Sequence, residues 1–132
     1  MKNEISKKNP YWIPKHRYLE LKNWCLQYRE WQEEYSACVY LTSKIPRGEK
    51  SSNVSDPSSK MAIHMAELKK KMDLIADICE EVAPHYAISL SVALVNNLSY
   101  DEVVMYNPAL PSRAEWYKTR RRFFYILSQK RD

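Results

Sequence analysis

Apolar residues recur at three- and four-residue steps along most of this chain, which is the spacing of one face of an α-helix. A first, strongly aromatic stripe runs from Tyr18 to Val39, and a second runs from Met61 to Val82. Residues 85–95 are apolar on nearly all sides, as in a buried helix. The pattern predicts helices near 14–41, with a bend near Tyr28, and near 57–82 and 84–97.

The predicted helices are separated by a stretch that lacks periodicity. Residues 42–59 hold the only glycine of the chain, two prolines and six serines, a composition typical of loops. Asp56 and Pro57 then resemble the cap and first position of a helix. We therefore predict a basic arm and aromatic helix in 1–42, a flexible linker in 43–59 and a helical domain in 57–132.

The last third of the chain contains two helix-start signals. Ser99 with Glu102, and Ser112 with Glu115, both match the capping box, in which each side chain bonds the other residue's amide. Between them, residues 107–111 include two prolines, which cannot continue a helix. Helices near 99–106 and 112–129 joined by a turn are the outline of a helix-turn-helix, at 99–131. The predicted fold is all-α, a five-helix domain with this motif at its C-terminus.

The last predicted helix has two unlike faces when it is wound at 100° per residue. An aromatic stripe that includes Trp116, Phe123 and Leu127 should pack against the apolar helix around Leu90 and Leu94. The opposite face is polar and basic, and it is available to a partner or to solvent. The aromatic stripe of the first helix has two interpretations as well, core packing or a surface for a partner or for stacked bases.

Positive charge is concentrated at the two ends of the chain. The net charge is +5 overall, with +4 in residues 1–22, +5 in residues 112–132 and −4 between them. A surface that is merely solvated needs no such segregation, whereas a phosphate-binding surface does. This pattern favours duplex DNA as the partner.

Most chemistry-bearing motifs are missing from the sequence. The three cysteines, Cys25, Cys38 and Cys79, form no CxxC pair and are predicted to be buried free thiols. The histidines are scattered, and no nucleophile, metal or phosphate-loop motif occurs. We therefore expect no enzyme activity, no metal and no cofactor. No signal peptide or membrane-spanning stretch is recognisable, so we expect a cytoplasmic protein without membrane contact.

Several short motifs resemble a family. They are the stretch from Tyr11 to Lys22, Cys25 to Tyr28, Asp56 to Ser58, Leu98 to Asp101 and Arg113 to Phe124. Together they resemble small prophage proteins grouped with the ArpU/RinA-type late transcriptional regulators. The resemblance implies a sigma-factor-like helix-turn-helix with a role in phage gene expression. It places the base-reading residues at Ser112, Arg113, Glu115, Lys118, Thr119 and Arg122.

The polar face and the charge lead to a DNA-binding hypothesis of our own. We expect the last helix to enter a major groove with Glu115, Lys118, Thr119 and Arg122, and with Arg113 and Arg121 on flanking phosphates. The basic arm would add phosphate contacts from Lys7, Lys8 and Lys15.

Two other functions fit the same sequence. One is a phage-encoded interaction protein that inhibits a host nucleic-acid-handling complex, such as RNA polymerase or a defence complex, because a basic face can also bind an acidic protein. The other is a DNA-packaging adaptor. The stripe from Met61 to Val82 spans about three heptads, which allows pairing with a second copy without requiring it.

Overall fold

The protein is all-α, as predicted. A computed structural model describes residues 7–44 and 57–131, and every regular element in these ranges is an α-helix. The helices are α1 (Lys15–Cys25), α2 (Tyr28–Ser43), α3 (Pro57–Val82), α4 (Ala87–Asn96), α5 (Tyr100–Tyr106) and α6 (Arg113–Lys130). Most of the predicted linker lies outside the described residues, and so does Asp56, the predicted cap of the next helix. The two ends of the predicted linker belong to α2 and α3.

The helix predicted at 14–41 is divided into two. At the end of α1 the amide of Leu26 donates to the carbonyl of Lys22, and that of Gln27 donates to the carbonyl of Trp24 at 3.1 Å. The second bond spans only three residues and tightens the last turn. The chain leaves helical geometry there, and α2 begins at Tyr28, close to the predicted bend.

The start of α4 also differs from the prediction, by three residues. Pro84 and the residues after it form a turn, closed by the Tyr86 amide on the Ala83 carbonyl at 3.1 Å. The helix begins only at Ala87. Its end is formed by Asn97, whose φ of 54° is left-handed, a conformation that asparagine tolerates better than most residues do.

The chain divides into two compact units. Among the described residues, the first unit comprises 7–27 and 74–131, and the second comprises 28–44 and 57–73. These boundaries do not coincide with the predicted ones, because α1 belongs with the C-terminal helices rather than with α2. Helix α3 contributes to both units.

The core of the first unit is built around α6. Five predicted core residues are each at most 3% exposed: Leu90, Leu94, Trp116, Phe123 and Leu127. The helix that lies most extensively along α6 is α1, which buries Leu21 and Cys25 completely. In α1 the stripe therefore packs in the core through Leu21 and Cys25, while its aromatic members Tyr18 and Trp24 are half-buried.

The second unit contains α2 and the first part of α3. Its buried apolar residues are Trp31 and Leu68, and the Lys71 ammonium lies 5.4 Å from the centre of the Trp31 ring. His64 and Glu34 join the two helices at 3.0 Å. Near the end of α2, Val39, Tyr40 and Leu41 are exposed.

Candidate nucleic-acid interface

The two basic ends of the chain pack together in the first unit. The ring of Tyr18 meets that of Phe124 edge-on, with centroids 5.0 Å apart, and Tyr11 meets Tyr125 in the same way at 5.5 Å. Residues 7–22 carry five basic and one acidic side chain, and residues 113–131 carry seven and one. Charge that is separated in sequence is therefore gathered into one compact unit.

The segment before α6 has the order that the sequence predicted, with residues 107–112 outside any helix. The Ser99 capping box forms in both directions, at 3.2 Å to the Glu102 amide and 3.1 Å from the Ser99 amide. The hydroxyl of Tyr100 donates to the carbonyl of Pro111 at 2.6 Å, which fixes the end of the loop against α5. A short helix, a loop and a long basic helix therefore follow one another.

The second predicted capping box is only half formed. The Ser112 hydroxyl accepts from the amide of Glu115 at 3.3 Å, and Ser112 is the N-cap of α6. The Glu115 carboxylate does not reach back to the Ser112 amide. Both residues are exposed at the start of the helix, where a partner can reach them.

Arg113 is exposed but has partners within the molecule. Its guanidinium pairs with the carboxylate of Asp101 on α5 and lies 5.1 Å from the centre of the Tyr100 ring. The hydrogen bond and the charge of Asp101 raise the pKa of Arg113 above its ordinary value. A phosphate contact by this residue has to compete with Asp101.

Lys118 and Arg121 are two of the cations of α6 that can bind an anion. Lys118 is exposed and Arg121 is half-buried, and neither forms an ion pair with another described residue. With Arg122 they stand at positions i, i+3 and i+4 of one helix face, where like charges repel. An anion bound to this face would relieve that repulsion.

Thr119 is not on the accessible face, which corrects the prediction that it reads bases. It is 5% exposed, and its hydroxyl donates to the carbonyl of Glu115 at 3.0 Å. Since that uses its one hydrogen, the hydroxyl of Tyr86 donates to Thr119, at 2.7 Å. The winding of α6 places Thr119 beside Trp116, whose ring stacks on that of Tyr86 at 5.9 Å, and so turns it toward the core.

Arg122 is half-buried beneath the N-terminal segment. Its guanidinium lies 5.9 Å from the centre of the Tyr11 ring, and its Nε atom is buried without a hydrogen-bond partner among the described residues. An unpaired buried N–H costs on the order of 1–3 kcal/mol. Neither Nη atom forms a hydrogen bond with another described residue.

The three predicted lysines of the N-terminal segment are all exposed. Lys15 begins α1, and the Lys7 ammonium lies 5.7 Å from the centre of the Trp12 ring. Lys8 also has an interaction within the described chain. The arm is thus part of the basic unit.

The sequence did not indicate the roles of Tyr11, whose ring lies over Arg122, and of Tyr86, which bonds the buried Thr119. Periodicity placed Tyr11 outside the helix predicted at 14–41, and it placed Tyr86 in the helix predicted at 84–97 rather than in the turn before α4. The turn at Asn9, whose side chain accepts from the Tyr11 amide at 2.8 Å, is recognisable from its Asn-Pro sequence. Which helix the ring then meets is a tertiary contact that no local pattern encodes.

The described residues contain no group of histidine, cysteine and acidic side chains that could hold a metal ion. None of their helices combines the length and the apolar character needed to cross a membrane. Comparisons with protein families, with curated proteins and with solved structures yield no match for this chain.

Proposed function

We propose that this chain is a DNA-binding regulator of the phage transcriptional type, which contacts duplex DNA through α6 and the N-terminal arm. The observation that carries the proposal is the packing of the two basic segments into one unit, in which Lys118, Arg121 and Arg122 on one helix face form no ion pair with another described residue. Such an unbalanced surface attracts a polyanion, and each phosphate contact releases counterions.

The proposed contacts are fewer than the sequence implied. Ser112, Glu115 and Lys118 are exposed near the start of α6 and can approach base edges. Arg121, Lys7, Lys8 and Lys15 serve phosphates. Thr119 is left out because it is buried, and Arg113 is secondary because Asp101 already holds it.

The test is a mobility shift with the DNA upstream of the protein's own coding sequence and with a shuffled duplex of equal length. The proposal expects both to bind at about 50 mM salt and the upstream fragment to keep its affinity better as salt rises. A chain that binds neither duplex at low salt is not a DNA-binding regulator. A promoter–reporter assay with the same fragment then separates activation from repression.

A second candidate, the inhibitor of a host nucleic-acid-handling complex, is favoured by an exposed apolar patch. Ile88 and Val92 on α4 are 79% and 42% exposed, and Met105 and Tyr106 on α5 are 82% and 86% exposed. The two helices pack together, and Asn107 donates to the Ser89 hydroxyl at 2.9 Å, which brings the start of α4 to the end of α5. Exposed side chains of this kind often belong to protein interfaces.

The two candidate functions predict opposite effects for the same set of variants. Under the inhibitor hypothesis, Ile88→Glu and Tyr106→Glu abolish capture of host polymerase or of a defence complex, whereas Lys118→Ala has little effect. Under the DNA-binding proposal, Lys118→Ala lowers the affinity for duplex DNA more than Ile88→Glu or Tyr106→Glu does. The packaging adaptor and the pairing of two copies through α3 stay predictions without a specific observation in their favour.

A further inference from the structure

We propose that Tyr11 is a positioning residue, which holds Arg122 so that its two Nη atoms face outward to bind a pair of oxygen or nitrogen acceptors on DNA. This inference rests on the proposed function, since it concerns the same surface. It assigns the N-terminal arm a role beyond its charge.

The first support is the arrangement around the Arg122 guanidinium. The ring of Tyr11 lies over it at 5.9 Å, and Tyr11 itself is placed by its edge-on contact with Tyr125, one turn further along α6. Nε is buried without a hydrogen-bond partner among the described residues, and no hydrogen bond within the described chain occupies either Nη atom. An arginine held in this way can offer only the end of its fork to a ligand.

The second support is that the arm is shaped to hold this ring. The Asn9 side chain accepts from the amide of Tyr11, and its carbonyl accepts from the amide of Trp12 at 3.0 Å. Pro10 and Pro14 restrict the backbone on either side. A turn fixed on both sides positions an aromatic ring at a lower entropic cost than a free tail does.

The chemistry of the fork defines the ligand. Two parallel N–H donors match the O6 and N7 acceptors of guanine in the major groove, and they match two oxygens of a phosphate equally well. A lysine at the same position keeps the charge but cannot make the paired contact. The ligand class is therefore a bidentate acceptor, and the experiment must distinguish a base from a phosphate.

The experiment measures affinity by fluorescence anisotropy for two duplexes. One is the tightest sequence selected by the wild type from a randomised pool, and the other is its shuffled counterpart. The variants are Tyr11→Phe, Tyr11→Ala, Arg122→Lys, Arg122→Ala and the double alanine variant. The control cycle pairs Tyr11→Ala with Lys118→Ala, because Lys118 lies on the same helix as Arg122, about one turn before it.

The expected result is coupling between Tyr11 and Arg122 alone. Arg122→Ala should weaken binding to the selected duplex about 5- to 100-fold, and Arg122→Lys should recover little of this loss. Tyr11→Ala should cost about 2- to 5-fold, Tyr11→Phe should behave as wild type, and the double variant should be no weaker than Arg122→Ala. Losses confined to the selected duplex identify a base, and equal losses on both duplexes identify a phosphate.

Two outcomes overturn the inference and are distinguishable from failure of the proposed function. If the wild type binds but Tyr11→Ala matches it, or if the losses of Tyr11→Ala and Arg122→Ala multiply independently, the positioning role is wrong and DNA binding stands. If the wild type binds no duplex at low salt, both are wrong. If Tyr11 had only a general structural role, it would be coupled to Lys118 as strongly as to Arg122. The positioning role predicts instead that the losses of Tyr11→Ala and Lys118→Ala multiply independently.

Discussion

Arg17, in the first turn of α1, donates hydrogen bonds to both the carbonyl and the hydroxyl of Ser128 near the end of α6, at 2.9 and 3.3 Å. The last carbonyls of a helix have no partner within it, and a cation supplied from 111 positions away satisfies one of them. The same contact joins the two basic segments of the chain. The candidate interface exists because this pairing, and the aromatic contacts beside it, bring those segments together.

Glu20 should make this junction sensitive to acid. Its carboxylate accepts from Arg131 at 2.5 Å and from Arg17 at 2.9 Å, and these hydrogen bonds lower the pKa of Glu20 below its ordinary value of 4.5. A lowered pKa in the folded state adds stability at pH values above 4.5, and this contribution is lost as the pH falls through the folded-state value.

Urea unfolding of the wild type and of Glu20→Gln across the acid range tests this. The wild type should be the more stable at neutral pH, and the difference should close on acidification. Arg131→Ala should remove most of the same pH dependence. A difference between wild type and Glu20→Gln that persists unchanged at the lowest pH would contradict the assignment.

Thr119 should matter for stability and not for DNA. Thr119→Val removes the hydroxyl that accepts from Tyr86 and leaves the tyrosine hydroxyl without its partner, which should cost about 1–3 kcal/mol in the free energy of unfolding. The affinity of the folded Thr119→Val protein for duplex DNA should stay within about twofold of the wild-type affinity. Adding Tyr86→Phe should recover part of the stability, because neither polar group is then left unpaired. If Thr119→Val lowers the affinity for DNA without lowering stability, Thr119 contacts DNA and its assignment to the core is wrong.

The cysteines should differ in reactivity. Burial raises the pKa of the Cys25 and Cys79 thiols to about 12, and both side chains are at most 1% exposed. Cys38 is free and only half-buried, which departs from the prediction that all three are buried. A chromogenic disulfide reagent should therefore label one thiol in the native protein and all three after denaturation. Cys38→Ser should abolish the native reaction, and a rapid reaction that survives this substitution would contradict the assignment.

Local signals predicted the helices well and their packing less well. The Ser99 capping box and the prolines of 107–111 fix the ends of α5 and α6 through chemistry that acts over a few residues. The division of the first helix at Leu26, the turn at Tyr86 and the inward direction of Thr119 depend on what packs against them. A helical wheel places Thr119 at the border between the two faces of α6, and its burial and its hydrogen bond with Tyr86 assign it to the core side.

The candidate site was predictable as a charge pattern and not as an arrangement. The sequence indicated two basic ends and could not indicate that α1 packs along α6. Nor could it indicate that Tyr11 covers Arg122, since the two residues are separated by nearly the whole chain. Lys118 and Arg121, which form no ion pair with another described residue, became distinguishable from Arg113 only through the pairing of Arg113 with Asp101.

The salt dependence of duplex binding tests the central claim, that the joined basic segments form a nucleic-acid interface. We would measure affinity against salt concentration for the wild type, for Lys118→Ala with Arg121→Ala, and for a control with Lys60→Ala and Lys70→Ala, which removes the same charge from exposed positions of α3. Each lost phosphate contact should reduce the slope of log affinity against log salt by about 0.9. Because Arg121 is the phosphate contact of this pair and Lys118 approaches bases, the account predicts a slope lower by about 0.9 in the α6 variant and an unchanged slope in the control. Equal slopes in all three proteins, or no duplex binding by the wild type at low salt, would contradict it.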